Sequence, residues 1–411
     1  MTMTRAGGLF GPALIVAGAV LASPGVVLVG LLALFAVGVT GVWSRFGLRN
    51  LHYERIVGRE RTVWGDDVPL DVTVWNDKPL PVWWVSVDDS ATPATVIREQ
   101  PLVRGETRDR AILRSHWSVG WYERVVRHFT IAADRRGLYS FGPARLTVAD
   151  LFGYGVATEE RVATATLIVR PRTLPVRVAS QQHIPTGDAR NRHSLFEDTD
   201  LFAGVRPYRP GDPMRRVHWR ATARTGMTVS KRFDPSQTQT ILVALDVQTM
   251  SGRIWTNDEE MVESLMVAAS SLARRALLEG ASCGLAAMAL SGPLNAFAFV
   301  APRSGRHQLG AIADALGRLN VTPSAPFEHL LVRIPQRVMP GTTIIVVTAR
   351  DPEPYAEALS RLHRLGYPIQ VVGLGPNARR AASRARALGF TAMTGSLTPS
   401  WRTSDALVLA S

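Results

Sequence analysis

The stretch "TQTILVALDVQTM", residues 238–250, decides how the second half of the chain is read. Five apolar residues in unbroken order, Ile241 to Leu245, followed by a single carboxylate and Val247, suit a strand buried on both faces. Such strands belong to parallel sheets covered by helices. The residues beyond Met250 keep that rhythm. "DEEMVESLMVAASSLARRALLEG" is an amphipathic helix opened by an aspartate cap, and "CGLAAMAL" is a second strand. A hairpin at "NAFAFVAP", a helix "RHQLGAIADALGRL", a strand "TTIIVVTA", a helix "EPYAEALSRLHRLG" and a strand "PIQVVGL" come next. The alternation predicts a largely parallel α/β sheet over 238–411, with function at the carboxyl ends of its strands. Asp246 and Asp351 each stand just past such an end.

Working backward, residues 49–176 change texture. "VPLDVTVWND" alternates Val68, Leu70, Val72 and Val74 with polar residues, and "PVWWVSVDD", "RVVRHFTIAA" and "ATLIVRP" repeat the pattern between Gly and Pro punctuation. Short strands without a helical period predict a β-sandwich-like domain. Trp75, Trp83 and Trp84 are expected there as core and edge filler rather than as a stacking platform.

Ahead of that domain no charge occurs between Ala6 and Ser44. Ser23-Pro24-Gly25 divides the stretch into two runs, the first ending at Ala22 and the second spanning Val26–Trp43, each near the ~20 residues that cross a bilayer. Residues 1–48 are therefore expected to form a transmembrane helical hairpin. Arg5 precedes it, Arg45, Arg49, Arg55, Arg59 and Arg61 follow it, and the turn carries no charge, so both ends are expected in the cytoplasm of a double-pass inner-membrane protein. A signal peptide cleaved near Ala22, leaving the second run as sole anchor, is the competing reading.

The chain of 411 residues carries a net charge of +13, almost wholly from arginine, since Lys78 and Lys231 are its lysines. Such a balance fits nucleic acid, an anionic membrane surface or an acidic protein partner, and the spread of the arginines along the chain argues against nucleic acid. One cysteine, Cys283, excludes a disulfide framework or a Cys/His zinc cluster. No P-loop motif occurs, and "GLGPNA" (373–378) is read as a plain strand-to-helix turn because no acidic residue follows at the ribose distance. "NARRAASRARALG" is an arginine-rich helix with Arg379, Arg380, Arg384 and Arg386 on a solvated face.

Between the two domains lies a connector, 177–237, which begins as a polar run and ends in "LFAGVRPYRPGDPMRRVHWRAT", residues 201–222. Asp212-Pro213 is a helix-start signature, Gly226 a stop, and "MTVSKRF" a restarted strand. At helical spacing Met214, Val217 and Ala221 form the inner face. His218 and Asp212 would point to different faces, and no nucleophile lies near, so catalysis is not expected here. Tyr208, Arg206, Arg216 and Trp219 are expected to lock the connector onto the α/β domain.

The run Phe202, Gly204, Arg206, Tyr208, Pro210-Gly211-Asp212, Arg215, Val217, Trp219, Ala223-Arg224, leading into Asp246, resembles the signature of the bacterial domain of unknown function 58 family. "RRGLYSFGPARLTVADLFGYG" and the hairpin-then-β layout are similar to that family as well. The resemblance implies a von Willebrand factor A-like C-terminal domain, no defining enzymatic activity, and an adaptor role beside MoxR-type AAA+ ATPases and neighbouring membrane proteins. Full von Willebrand A domains hold Mg²⁺ with Asp-x-Ser-x-Ser and later Thr and Asp ligands. Here Asp246 matches, Gln248 and Met250 replace the serines, and Asp351, with Thr249 or Thr348, completes a degenerate set that a hard cation fits badly. No cofactor is expected. The alternative is a divalent-metal hydrolase or nuclease using Asp246, Asp351 and the arginines of 206–224.

Overall fold

The computed structural model describes residues 3–149, 156–179, 202–208, 214, 217–233, 239–250, 257–291, 296–398 and 400–411. They fall into two units that divide between Arg170 and Pro171.

In the first unit, helix α1 (Met3–Val20) and helix α2 (Pro24–Phe46) pack side by side. Pro24 suits the first turn of α2, where its missing N–H costs nothing. Glycines permit the close approach. A β-carbon at Gly18 would lie 2.7 Å from the Val27 backbone nitrogen, and one at Gly30 would lie 2.6 Å from Ile15 Cγ1. Residues Pro24–Trp43 are long and apolar enough to cross a membrane.

The sandwich begins directly after α2. One sheet orders strands Leu51–Val57, Asp67–Asn76, Arg124–Ala132 and Val96–Ile97; the other centres on Val82–Ala91, between Gly137–Ala149 and Ala111–Val119. Val68, Leu70, Val72 and Val74, the alternating residues, all turn inward against Val85, Val87, Trp117, Phe129, Leu146 and Leu167. Among the tryptophans Trp117 fills the core, while Trp83 and Trp84 are exposed. Trp84 stacks on His116 with ring centroids 5.5 Å apart, so it is edge cover rather than interior.

The second unit carries an eight-stranded sheet among the described residues, with Thr240–Leu245 and Thr343–Thr348 adjacent and parallel at its centre. Ser282–Ala287, Ile369–Leu374 and Thr391–Ser396 extend the parallel set, Ala298–Arg303 runs antiparallel to Ser282–Ala287, and Leu407–Ala410 runs antiparallel to Thr391–Ser396. Val176–Val178 pair with Leu407–Leu409, which places the end of the stretch expected in the β domain on this sheet.

In sequence, helix α3 (Trp219–Thr225) falls between the strands Val176–Val178 and Thr240–Leu245 of this sheet. Around it stand helices α4 (Glu259–Leu278), α5 (Arg306–Arg318), α6 (Phe327–Arg333), α7 (Ala356–Arg364) and α8 (Ala378–Ala387). Two apolar clusters form on opposite faces: Val262, Leu265 and Leu272 of α4 cover Ile241, Val243 and Leu245, while Phe327, Leu330, Leu359 and Ala382 cover Leu242, Ala244 and Val346. Alternate residues of one strand thus feed both cores, which is why the run shows no polar alternation. Asp258 caps α4 as its sequence predicts, accepting from the amides of Glu260 and Met261.

Candidate functional site

Two places gather the residues singled out in the sequence. The first is the carboxyl end of the two central strands. Asp246 follows Leu245 and is fully buried; Thr348 ends the neighbouring strand and is equally buried. The Thr348 hydroxyl donates to Asp246 Oδ2 at 3.0 Å, the Gln248 amide donates to Oδ1 at 3.1 Å, and the Arg350 guanidinium Nε donates to Oδ2 at 2.7 Å. Tyr355 O–H donates to the Thr348 oxygen at 3.1 Å, and its ring lies under the Arg350 guanidinium, 5.1 Å away. The Gln248 side chain accepts from the Phe327 amide at the start of α6, tying this end of the sheet to that helix.

Burial pushes the Asp246 carboxyl above its ordinary range, against the opposing pull of Arg350 and of the donated hydrogen bonds. Arg350 is itself held above its ordinary value, the attraction of Asp246 outweighing its loss of water. Burial, with the Asp246 charge behind it, also drives the Tyr355 phenol upward, so its proton stays on. Three donors converging on one carboxylate favour an ionised, fixed pair.

That pair decides the expected metal set. Thr249 Oγ1 donates to Asn257 Oδ1 and accepts from the Asp258 amide, while Asp351 pairs with Arg380 at 2.8 Å and Arg384 at 3.1 Å on α8. Asp246, Thr249 and Asp351 are thus each engaged by other groups, and among the described residues no group of three His, Cys, Asp or Glu is placed to hold a metal ion. A divalent ion would have to displace a guanidinium from Asp246, so these residues as placed do not fit Mg²⁺. Thr348, considered as an oxygen donor, does reach Asp246, but as the donor of a proton. The α8 arginines read as a solvated face are partly engaged too, Arg380 and Arg384 with Asp351.

Arg350 is what the sequence pattern did not single out. It lies two residues past Thr348 in "VTARD", and a cation beside a strand-end carboxylate is the signal that could have found it.

The second place is the signature segment. Strand Phe202–Pro207 pairs antiparallel with Val229–Phe233, so "MTVSKRF" restarts as expected. The helix between them is shorter than predicted. It starts at Trp219, and His218 is its cap, Nδ1 accepting from the Ala221 amide at 3.0 Å. His218 Nδ1 is thus engaged by the backbone at the start of the helix. Gly226 ends the helix with φ +69, the left-handed turn its sequence position announced.

Val217 is buried, but Met214, assigned with it to an inner face, is 63% exposed. Trp219, expected to lock the segment down, is 61% exposed, and Arg220 and Arg224 are exposed beside it. Tyr208 is half-buried and its amide donates to the Thr228 carbonyl. Pro210, Gly211, Asp212, Arg215 and Arg216, and the side chains of Phe202 and Arg206, lie outside the described residues, as does Gly204 beyond its strand pairing.

Comparison with known proteins bears on this segment. A family profile described as "Protein of unknown function DUF58" matches residues 204–332. The "Uncharacterized protein YeaD" of Bacillus subtilis (strain 168) is 22% identical over 251 residues, covering 60% of this chain and 58% of that relative. Among solved structures, the CARDB domain of the PF1109 protein from Pyrococcus furiosus superposes with a TM-score of 0.18 at 16% identity, covering 28% of this chain and 89% of that one. The cohesin module of a family 33 glycoside hydrolase from Clostridium perfringens does so at 0.21 and 12%, covering 29% and 96%. Neither superposition is close enough to assign a fold. The stretch running from the paired strands through Asp246 to α6 is the segment that matches the DUF58 family model.

Proposed function

We propose that the protein is a membrane-anchored, non-enzymatic interaction protein whose second unit is a von Willebrand factor A-like platform working without a metal ion. The observation that carries this reading is the outward display of Met214, Trp219 and Met227 beside Arg220 and Arg224, all in the family-defining segment or bordering it. Exposed large apolar side chains mixed with arginine are what protein interfaces use for anchors. The cations call for an acidic patch on the partner, and the partner class that the family resemblance implies is a MoxR-type AAA+ ATPase.

The A-like reading is supported by the position of Asp246 at the carboxyl end of a central parallel strand with helices on both faces. Arg350 supplies there the positive charge that a metal ion supplies elsewhere. Anchoring rests on Pro24–Trp43, and passage of α1 beside it on the glycine-mediated packing at Gly18 and Gly30. The arginines after Trp43 argue for the folded units on the cytoplasmic side.

The test uses the full chain in lipid nanodiscs and the organism's purified MoxR-type ATPase. Trp219→Ala combined with Arg220→Glu is expected to weaken binding more than about tenfold, the size of losing one interface anchor. Unchanged affinity overturns the docking assignment, and divalent-metal-dependent turnover lost in Asp246→Asn overturns the non-enzymatic one.

A further inference from the structure

Aromatic side chains stand exposed at one end of the sandwich. Trp121 and Tyr122 occupy the turn between strands Ala111–Val119 and Arg124–Ala132 and are 69% and 66% exposed. Trp83 and Trp84 lie at the same end, since Val82 pairs with Val119 and Trp84 with Ala149.

This end is fastened to α2. Asn76 Nδ2 donates to the Gly120 carbonyl at 2.6 Å, and the Tyr122 amide donates to the Lys78 carbonyl at 3.4 Å. Lys78 Nζ in turn donates to the carbonyls of Gly47 at 2.8 Å and Arg49 at 2.6 Å, just past the helix. No loose tether intervenes. Leu48 packs against the sandwich core, Leu51 is fully buried within it, and a β-carbon on Gly47 would sit 3.0 Å from Val148 Cγ1.

The spacing then fixes a depth. The apolar span ends at Trp43, and Gly47 follows about 6 Å later along the helix at ~1.5 Å per residue. The headgroup layer on each side of a bilayer is about 5–8 Å deep. A rim bonded to Gly47 and Arg49 therefore falls in that layer, where tryptophan and tyrosine are favoured because each has an apolar ring and a polar edge. The backbone adds an independent sign. Tyr122 holds φ +50, a left-handed conformation in which a side chain is disfavoured and glycine or asparagine is the easy choice. Tyr122 is exposed there and is not among the residues of the sandwich core.

We propose that Trp83, Trp84, Trp121 and Tyr122 form a lipid-facing rim that inserts into the headgroup layer of the leaflet from which α2 emerges, seating the β-sandwich on the bilayer. The rim rests on the membrane-anchored reading, and the experiment separates the two. The full chain with Cys283→Ala receives a single cysteine at Trp121, Tyr122, Leu31 or Arg98. Each is labelled with an environment-sensitive fluorophore and reconstituted in phosphatidylcholine–phosphatidylglycerol nanodiscs containing a headgroup-depth nitroxide lipid or, in a parallel set, one with its nitroxide deep in the acyl chain.

Arg98 is the reference, because its amide bonds Thr130, about 20 Å along the strand from Arg124 at ~3.3 Å per residue. Labels at Trp121 and Tyr122 are expected to be quenched at least threefold more by the shallow nitroxide than the label at Arg98, and the label at Leu31 most by the deep one. Two independent rim positions guard against one variant failing to fold. Quenching at Leu31 with none above the Arg98 level at either rim position overturns the rim and leaves the anchor standing. Absence of quenching at Leu31 as well overturns the anchor and the rim together.

Discussion

The buried pair Asp246–Arg350 makes the sharpest energetic prediction, because its two halves fail differently. Their side chains are 0% and 4% exposed, so neither charge can be rescued by water. Asp246→Asn strands a guanidinium that cannot give up its proton, and orphaning a buried charge costs about 3–5 kcal/mol. Arg350→Met strands a carboxyl that has an escape. It can protonate, at a cost at pH 7 of at most about 4 kcal/mol, from ~1.36 kcal/mol per unit over ~3 units above an ordinary aspartate value.

The sign of the pH effect is set by the same carboxyl. In Arg350→Met the folded-state carboxyl titrates above its unfolded value, so the folded state binds the extra proton and stability is lost as pH rises between the two. That variant should regain up to about 2–3 kcal/mol between pH 7 and 5, while Asp246→Asn should not. The double variant Asp246→Asn/Arg350→Met, which removes both charges, should be more stable than Asp246→Asn alone by about 2 kcal/mol or more. Hydrogen exchange of the amides in Thr240–Leu245 and Thr343–Thr348, read by mass spectrometry on the full chain at both pH values, reports the opening free energy of these strands. Additive costs in the double variant, or single costs below about 1 kcal/mol, would refute the account of a fixed internal ion pair.

Lys78 is drawn down to about 8 by burial, so the unfolded chain holds more protons than the folded one between pH 8 and its ordinary value. The first unit should therefore gain about 1–2 kcal/mol as pH rises through that window, with solvent access discounted, and Lys78→Met should flatten the profile in a urea titration. Cys283 is buried and its thiol is pushed up to about 12, so maleimide should not label it at pH 8 until the second unit is unfolded. Gly30→Val places a methyl-bearing carbon against Ile15 and should lengthen spin-label distances between α1 and α2; an unchanged distance would refute close glycine packing. Mg²⁺ or Mn²⁺ should leave the melting temperature of the native chain unchanged, and a rise abolished by Asp246→Asn would show that Arg350 yields its place.

The elements legible in the sequence are those whose cause is local. Ile241–Leu245 reads as a doubly covered strand because both neighbours in space demand apolar residues, Asp258 reads as a cap because its amides lie within one turn, and Gly226 reads as a stop because only the left-handed region closes that helix. The start of α3 at Trp219 was not legible because an imidazole accepting an amide proton is a rare cap, while Asp212-Pro213 lies outside the described residues. The candidate site was half legible. Asp246 at a strand end could be read directly, but its partner lies 104 positions along the chain, and no period or motif joins residues across a sheet register. The exposed tryptophans defeated the sequence for a related reason. Alternation tells which residues share a face of a strand, but Trp121 and Tyr122 sit in a turn and Trp83 beside a register shift, where alternation lapses. Their place at the end of the sandwich where α2 enters could be read only once Lys78 was seen to bind the carbonyls just past that helix.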